Sequence, residues 1–213
     1  MLIDDYINYQ NIYEKKYGEK TVILMQVGSF FELYALEGDN NFNLDNLHKI
    51  SNILNIQTTK KNKKIKDVNS SNPYMMGFPL VAVDKFVQIL LNNDYTVVLI
   101  EQVTEPPEPE RKVTNIYSPG TNIEYCNNND SSNLVSIYIE TFKDIQKYKN
   151  IYCVGLSNID LTTGKSIIYE CFSEVDDNKK IYDEIYRFIK INNPKEIIIH
   201  LNNTDKEINK DKL

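Results

Sequence analysis

The chain has 213 residues, of which 41% are hydrophobic and 25% charged, the balance of an ordinary globular protein with one large or two smaller domains. The net charge of −6 excludes a basic protein that coats DNA over its whole surface, and every apolar run is far shorter than the roughly 20 residues of a membrane helix. The first segment, MLIDDYINYQ, carries acids where a targeting peptide carries basic residues, so we expect an intracellular protein without a membrane partner.

Helices and strands alternate in the predicted first domain. Apolar residues at helical spacing predict a helix over Leu2–Tyr17, and Gly18 is placed to end it. The elements that follow in chain order are a strand over Thr21–Val27, a helix around Leu44–Leu54, short strands over Ile56–Thr59 and Tyr74–Met76, a helix over Ala82–Asn92, and strands over Tyr95–Glu101 and Val113–Tyr117.

A polar, turn-rich segment over Cys126–Asn133 separates this domain from a second pattern. We predict a first domain over residues 1–125, a linker over 126–132 and a second α/β domain over 133–213. The elements of the second domain are a strand over Leu134–Thr141, a hairpin of Ile151–Asp160 and Lys165–Phe172, a helix indicated by Ile181, Ile185, Phe188 and Ile189, and a strand over Glu196–His200.

The cysteines and histidines do not form a metal-binding pattern. Cys126, Cys153 and Cys171 contain no CxxC pair, which indicates reduced, partly buried thiols. His48 and His200 lie far apart in the sequence without ligand partners nearby, so we expect no metal site.

The segment TGKS, residues 163–166, is similar to the end of a phosphate-binding loop. Such a loop needs a glycine where this chain has Ile159, and the segment lies between two predicted strands. We therefore predict a hairpin turn at this point.

The segment QVGSFFELY, residues 26–34, places an aromatic ring near a carboxylate. As one extended strand, it would turn Val27, Ser29, Phe31 and Leu33 toward the core and the alternate residues outward, namely Gln26, Gly28, Phe30, Glu32 and Tyr34. Alternation by itself favours a plain interpretation, in which the ring of Phe30 packs under a loop and Glu32 is solvated.

A second candidate segment is KKNKKIK, residues 60–66, which has five lysines and no acid. It is either a solvated loop or a local contact to phosphates.

Three segments, in the same order and at the same spacings, resemble the MutS family of DNA mismatch-repair proteins. They are GSFFELY at residues 28–34, the stretch from Met75 to Val103, and RKVTNIYSPGT at residues 111–121, and the resemblance covers about residues 5–125. GLSNIDLTTGK, residues 155–165, resembles part of the family's connector domain. EPPEPERK and FFELY are similar to the members from large DNA viruses and coral mitochondria.

The resemblance implies an α/β fold with a mixed-sheet mismatch-recognition domain followed by an RNase H-like connector domain. It also implies that Phe30 enters the minor groove and stacks on the mispaired base, while Glu32 hydrogen-bonds that base. This chain departs from many members at Ser29, where they have Asp, and at Phe31, where they have Tyr. As contacts to the DNA backbone we name Lys60, Lys61, Lys63, Lys64, Arg111 and Lys112.

The partners that the resemblance implies are double-stranded DNA with mismatches or small loops, and downstream repair factors that dock on the connector. Full-length members are dimers and ATPases that bind ATP and magnesium in a C-terminal domain, so we expect no catalytic centre and no cofactor in this chain. The compartment stays open between mitochondrion, nucleus, bacterial cytoplasm and viral factory.

Two alternatives remain at this point. One is a protein-interaction module of a repair complex without mismatch sensing. The other is an RNase H-like nuclease, for which the candidate magnesium ligands are Asp160, Glu140 and Asp144.

Overall fold

The computed structural model describes residues 2–37, 44–105, 107–122, 131–143, 150–174 and 179–202. The chain divides into two compact units, Met1–Pro119 and Gly120–Leu213. Most of the predicted linker, together with Cys126 and Asp144, lies outside the described residues. The domain limits at residues 125 and 133 therefore stay predictions.

Unit 1 is a six-stranded mixed sheet with the strand order β3-β4-β2-β1-β5-β6. Strands β1 and β5 run parallel, and the other neighbours are antiparallel. Its elements are α1 (Leu2–Tyr17), β1 (Thr21–Val27), β2 (Phe30–Ala35), α2 (Leu44–Leu54), β3 (Thr59–Lys60), β4 (Tyr74–Pro79), a 3-10 turn (Leu80–Ala82), α3 (Val83–Leu91), β5 (Thr96–Gln102) and β6 (Arg111–Tyr117).

Helices cover both faces of this sheet. On one face, Ile3 and Tyr6 of α1 pack with Ile23, Met25 and Tyr34. On the other face, α2 contacts β2 and β4, and α3 contacts β5. Because both faces are covered, β1 and β5 are almost continuous apolar runs and not alternating ones.

Unit 2 is a four-stranded sheet with the order β10-β7-β8-β9. Strand β10 runs parallel to β7, and the other pairs are antiparallel. Helix α4 covers one face through Ile181, Ile185 and Phe188. The elements are β7 (Asn133–Lys143), β8 (Asn150–Asp160), β9 (Ser166–Phe172), α4 (Lys179–Asn192) and β10 (Glu196–Asn202). The mixed α/β class predicted for both parts of the chain is confirmed.

Several local predictions are also confirmed. Gly18 follows α1 with a φ of +95°, and its N–H donates to Glu14 O at 2.8 Å. Gly164 has a φ of +71° in the turn between β8 and β9, so TGKS belongs to a hairpin. Cys153 and Cys171 are partly buried free thiols.

The strand predicted over Ile56–Thr59 is wrong in its position. The N–H of Ile56 donates to Ser51 O at 3.0 Å, and its own carbonyl accepts from Ser51 Oγ at 2.5 Å. These bonds hold Ile56 against the end of α2, so pairing with β4 starts only at Thr59.

Within the described part of the chain, each helix is too short or too polar to span a bilayer.

Candidate nucleic-acid interface

A tight hairpin lies where a single strand was predicted over residues 26–34. Strands β1 and β2 are joined by Gly28 and Ser29 alone, and Val27 pairs with Phe30. Gly28 has a φ of +59°, as the first position of a type II′ hairpin turn requires. Gln26 pairs with Phe31, so Gln26 and Val27 each lie on the face opposite to the predicted one.

The ring of Phe30 is exposed at the tip of this hairpin. Its side chain is 45% exposed, whereas the next residue, Phe31, is buried. On the neighbouring strand Phe30 pairs with Pro79, and the N–H of Leu80 donates to Ser29 O at 3.0 Å. The turn beyond Pro79 presents Val81, which is 95% exposed. The tip therefore exposes an aromatic ring on a backbone that is paired on both sides.

Glu32 lies two residues further along β2, on the same face as Phe30, and is half-buried. It pairs with Gly77 of β4. A Cβ atom at Gly77 would lie 2.8 Å from Phe31 O and 3.2 Å from Glu32 Cγ. The space beside the stem of Glu32 thus exists because residue 77 has no side chain.

Tyr34 contacts the carboxylate of Glu32 from the interior. Its hydroxyl donates to Glu32 Oε2. Its ring, 2% exposed, meets the ring of Tyr6 edge-on with centroids 5.2 Å apart. Burial and, next, the hydrogen bond with Glu32 raise the pKa of Tyr34 far above its usual value, so the phenol stays a donor.

The predicted outward position of Tyr34 is wrong, because α1 covers this end of β2. Exposure on this face decreases from Phe30 through Glu32 to Tyr34. The candidate site is therefore the end of strand β2 that carries Phe30 and Glu32, and not the whole face of the strand.

Gln26 and Arg111 fasten the base of the hairpin to the neighbouring strands. Gln26 Oε1 accepts from Gln102 N at 2.9 Å, and Gln26 Nε2 donates to Gly28 O at 3.1 Å. Arg111 Nε donates to Gln26 O at 2.9 Å. Sequence reasoning missed Gln26 and Gly77 as supports because their partners are distant in sequence. It missed Tyr34, whose partner Glu32 is only two residues away, because it assigned Tyr34 to the outward side and not to the interior.

The predicted backbone contacts lie away from the tip. Lys60 Nζ donates to Lys66 O at 2.7 Å and lies 5.5 Å from the Tyr74 ring centroid. Lys60 pairs with Tyr74, which lies at the opposite end of β4 from Pro79. Five residues of strand separate Tyr74 from Pro79, a distance of about 17 Å. Lys61, Lys63 and Lys64 are exposed on the loop after β3. Lys112, on β6, forms an exposed ion pair with Glu110 at 3.2 Å.

Two of the acids considered for a nuclease, Asp160 and Glu140, do not converge, and the third, Asp144, lies outside the described residues. Asp160 Oδ1 accepts from Ser132 N at 3.2 Å and Thr162 N at 3.0 Å, and its Oδ2 accepts from Thr163 Oγ1 at 2.7 Å. These bonds, that from Thr163 first, lower the pKa of Asp160. Asp160 pairs with Asn133, seven residues or about 23 Å along β7 from Glu140. Among the described residues, no group of three or more His, Cys, Asp or Glu could hold a metal ion.

Comparisons with known proteins point to one family. The family model described as MutS domain I matches residues 8–125. A putative DNA mismatch repair protein mutS homolog of Acanthamoeba polyphaga mimivirus is 34% identical over 195 residues, which are 92% of this chain and 17% of that protein. The DNA mismatch repair proteins MutS of Lachnoclostridium phytofermentans and Caldanaerobacter subterraneus are 30% and 34% identical, over 58% of this chain and 12% and 13% of theirs. The chain thus spans only a small part of the length of these relatives.

Proposed function

Because this chain belongs to the MutS family, we propose that it recognises mispaired or unpaired bases in double-stranded DNA as the N-terminal part of a mismatch repair protein. In this proposal Phe30 stacks on the aberrant base and Glu32 hydrogen-bonds it. The observation that carries the proposal is the exposed ring of Phe30 at a hairpin tip, with the half-buried carboxylate of Glu32 on the same face.

The ring of Phe30 suits a sensor that must accept many mispairs. Insertion of a side chain between bases costs a few kcal/mol of unstacking, and least where the base is already mispaired. Stacking on an aromatic ring returns about 1–3 kcal/mol for any base. An exposed Phe30 on a backbone that is paired on both sides therefore favours a mispaired step over an intact one without reading its sequence.

Glu32 adds discrimination against intact DNA. Near the phosphates its carboxylate is repelled, and on a matched duplex the bases already use their hydrogen-bonding groups in pairing. A displaced or mispaired base offers a free polar edge, which offsets the repulsion. The carboxylate thus weakens the binding of matched DNA and contributes to the binding of a duplex with an aberrant base.

For the backbone contacts we propose Lys61, Lys63 and Lys64, which are exposed. The distance of about 17 Å along β4 corresponds to about five base pairs of rise, so they would meet phosphates to one side of the aberrant base. Lys112 remains a candidate at the edge strand β6. Arg111 and Lys60 contribute by fixing the hairpin and the loop through their bonds to main-chain carbonyls.

The test compares affinities for a duplex with one mispair, one with an unpaired base and their matched control, at one fixed salt concentration. We expect Phe30→Ala to reduce the preference for the aberrant duplexes by about tenfold, the equivalent of one stacking interaction. Phe172→Ala is the matched control, since Phe172 is 52% exposed but lies on β9 of unit 2. A preference that survives Phe30→Ala, or that Phe172→Ala lowers equally, contradicts the proposal.

For unit 2 we propose docking of downstream repair factors. Helix α4 covers one face of its sheet, while the opposite face exposes Phe142, Ile168 and Phe172. A chain without mismatch preference that still captures such a factor would support the interaction-module alternative. We further propose that ATP, magnesium and the dimer contacts of a full-length protein involve regions other than these residues.

A further inference from the structure

We infer that the hydroxyl of Tyr34 is a positioning group for recognition, which holds the carboxylate of Glu32 ready for an aberrant base. The inference rests on the proposed function and assigns a role to a residue of the interior. Tyr34 does not touch DNA in this arrangement. It acts through Glu32: the carboxylate of Glu32 contacts the base, and the hydroxyl of Tyr34 holds that carboxylate in position.

The contact gives the two oxygens of the Glu32 carboxylate different roles. The Tyr34 hydroxyl donates to Oε2 of Glu32, so Oε1 remains to meet a base. A glutamate side chain has three rotatable bonds, and a free one must be ordered when the ligand binds. A carboxylate that is already held loses less conformational freedom on binding, and its affinity for the base is higher for that reason.

The donor itself is fixed by its surroundings. Strand β2 is paired on both sides, with β1 and with β4. The Tyr34 ring lies edge-on to Tyr6 at an interplanar angle of 81°, and the hydroxyl of Tyr6 donates to Ile23 O at 3.3 Å. On the other side of Glu32, Gly77 leaves its stem the space that any Cβ atom would take. Packing and strand pairing therefore fix the position of the Tyr34 hydroxyl, and its hydrogen bond holds the carboxylate of Glu32.

Loss of the phenol proton of Tyr34 does not interrupt the contact. Burial and the neighbouring carboxylate both keep the phenol of Tyr34 protonated, since they raise its pKa far above the ordinary value. The group thus donates at every pH at which a duplex is a ligand.

The chain contains a matched control for the loss of one buried phenolic oxygen. Tyr6 is fully buried in the same cluster and touches the same ring, but its hydroxyl bonds main-chain groups, the carbonyl of Ile23 and the main chain of Tyr34, and not Glu32. Tyr6→Phe and Tyr34→Phe each delete one oxygen and keep the rings in contact. An effect on stability alone should appear in both variants, whereas an effect through Glu32 should appear only in the second.

The experiment measures the preference, the ratio of dissociation constants for matched and mispaired duplexes, for the whole 213-residue chain. The variants are Tyr34→Phe, Tyr6→Phe, Glu32→Ala and the double variant Tyr34→Phe/Glu32→Ala, each checked for folding by thermal unfolding. We expect Tyr34→Phe to lower the preference about threefold or more, as contacting residues that act together do, and to have no effect once Glu32 is alanine. Tyr6→Phe should leave the preference unchanged.

The inference is overturned if Tyr34→Phe keeps the wild-type preference, or lowers it equally with and without Glu32. Phe30→Ala separates this failure from that of the proposed function. If Phe30→Ala abolishes the preference while Tyr34→Phe does not change it, recognition stands and the positioning role falls. If neither changes it, both fall.

Discussion

Gly77 is the residue whose replacement should disturb the site most directly. It stands beside Glu32 on the adjacent strand, and a Cβ atom there would lie 2.8 Å from Phe31 O. That neighbour is a main-chain atom between two paired strands, so it cannot rotate away as a flexible side chain could. Relief requires a shift of β2, the strand that carries both Phe30 and Glu32.

We therefore expect Gly77→Ala to lower the free energy of unfolding by about 1–3 kcal/mol, as overpacking does, and to reduce the mismatch preference as well. Gly155→Ala is the control, because a Cβ atom at this strand glycine of unit 2 meets only Tyr138 Cβ, at 3.9 Å. Denaturant titration and duplex binding measure the two effects. Equal behaviour of the two variants would show that the crowding at Gly77 is relieved at no cost.

Asp160 makes a pH-dependent contribution to the stability of unit 2. Hydrogen bonds from Thr163 and from main-chain N–H groups hold its pKa in the folded chain below the ordinary value. A lowered pKa means that the stabilisation is present above the pKa of the unfolded chain and is lost as the pH falls through that of the folded chain. The window therefore begins at about pH 4 and extends downward.

From this sign we expect wild-type unfolding midpoints to fall between pH 7 and pH 3 by more than those of Asp160→Asn. The other carboxylates titrate alike in both proteins, so the difference between the two pH dependences isolates residue 160. If the unfolding midpoints of wild type and Asp160→Asn change with pH in parallel, the negative charge of Asp160 does not stabilise the turn.

At the scale of elements, the two-residue turn decides where the ring of Phe30 stands. Its first residue, Gly28, has a φ of +59°, and a Cβ atom there would have nothing within 4 Å. A side chain at this position is thus strained by backbone conformation alone and not by crowding. The hairpin tip can be perturbed without touching any packed group.

Gly28→Val should cost about 1–3 kcal/mol of stability, since a β-branched residue strongly disfavours positive φ. Gly164→Val is its counterpart in the β8–β9 hairpin, with a φ of +71° and equally open space. We expect both variants to lose similar stability, but only Gly28→Val to lower the mismatch preference, because only that turn precedes Phe30. An equal loss of preference in the Gly164→Val variant would remove the link between turn and site.

The elements that sequence reasoning found are those whose pattern is local. Strands β1 and β5 are almost continuous apolar runs, and α1 shows apolar residues at helical spacing with a glycine directly after it. Burial of both faces of a strand produces an apolar run, and a positive φ after a helix favours glycine, so both features can be recognised in the sequence. The mixed sheet followed as an implication of the family resemblance.

The hairpin at Gly28 and Ser29 escaped the same reasoning. Alternation of side chains continues through the turn without a break in the sequence. A two-residue turn nevertheless places Val27 and Phe30 opposite each other on one face, where a single strand would separate them. The burial of Tyr34 could not be foreseen either, because it depends on α1, which packs on β2 from a distant part of the chain.

For the whole molecule, the charge distribution determines how DNA can be bound. With a net charge of −6, no long-range attraction to phosphates favours association, so affinity must come from local contacts. The densest basic segment is the loop with Lys61, Lys63 and Lys64, which leaves the sheet at the end of β4 opposite to Phe30. In the proposed function, recognition and phosphate contact therefore involve separate regions of unit 1, and we expect that each can be removed without the other.

This separation gives the salt dependence a specific expectation. Each phosphate neutralised by a lysine contributes about 0.9 to the slope of the logarithm of affinity against the logarithm of salt concentration. Replacement of Lys61, Lys63 and Lys64 by alanine should therefore flatten the slope by about that amount for each phosphate that is no longer neutralised, while the ratio between mispaired and matched duplexes persists. Replacement of Lys165, Lys179 and Lys190 in unit 2 changes the net charge equally and serves as the control. If both triple variants flatten the slope alike, the effect is one of overall charge, and if neither does, the lysine loop lies off the DNA and the phosphate contacts belong elsewhere on unit 1.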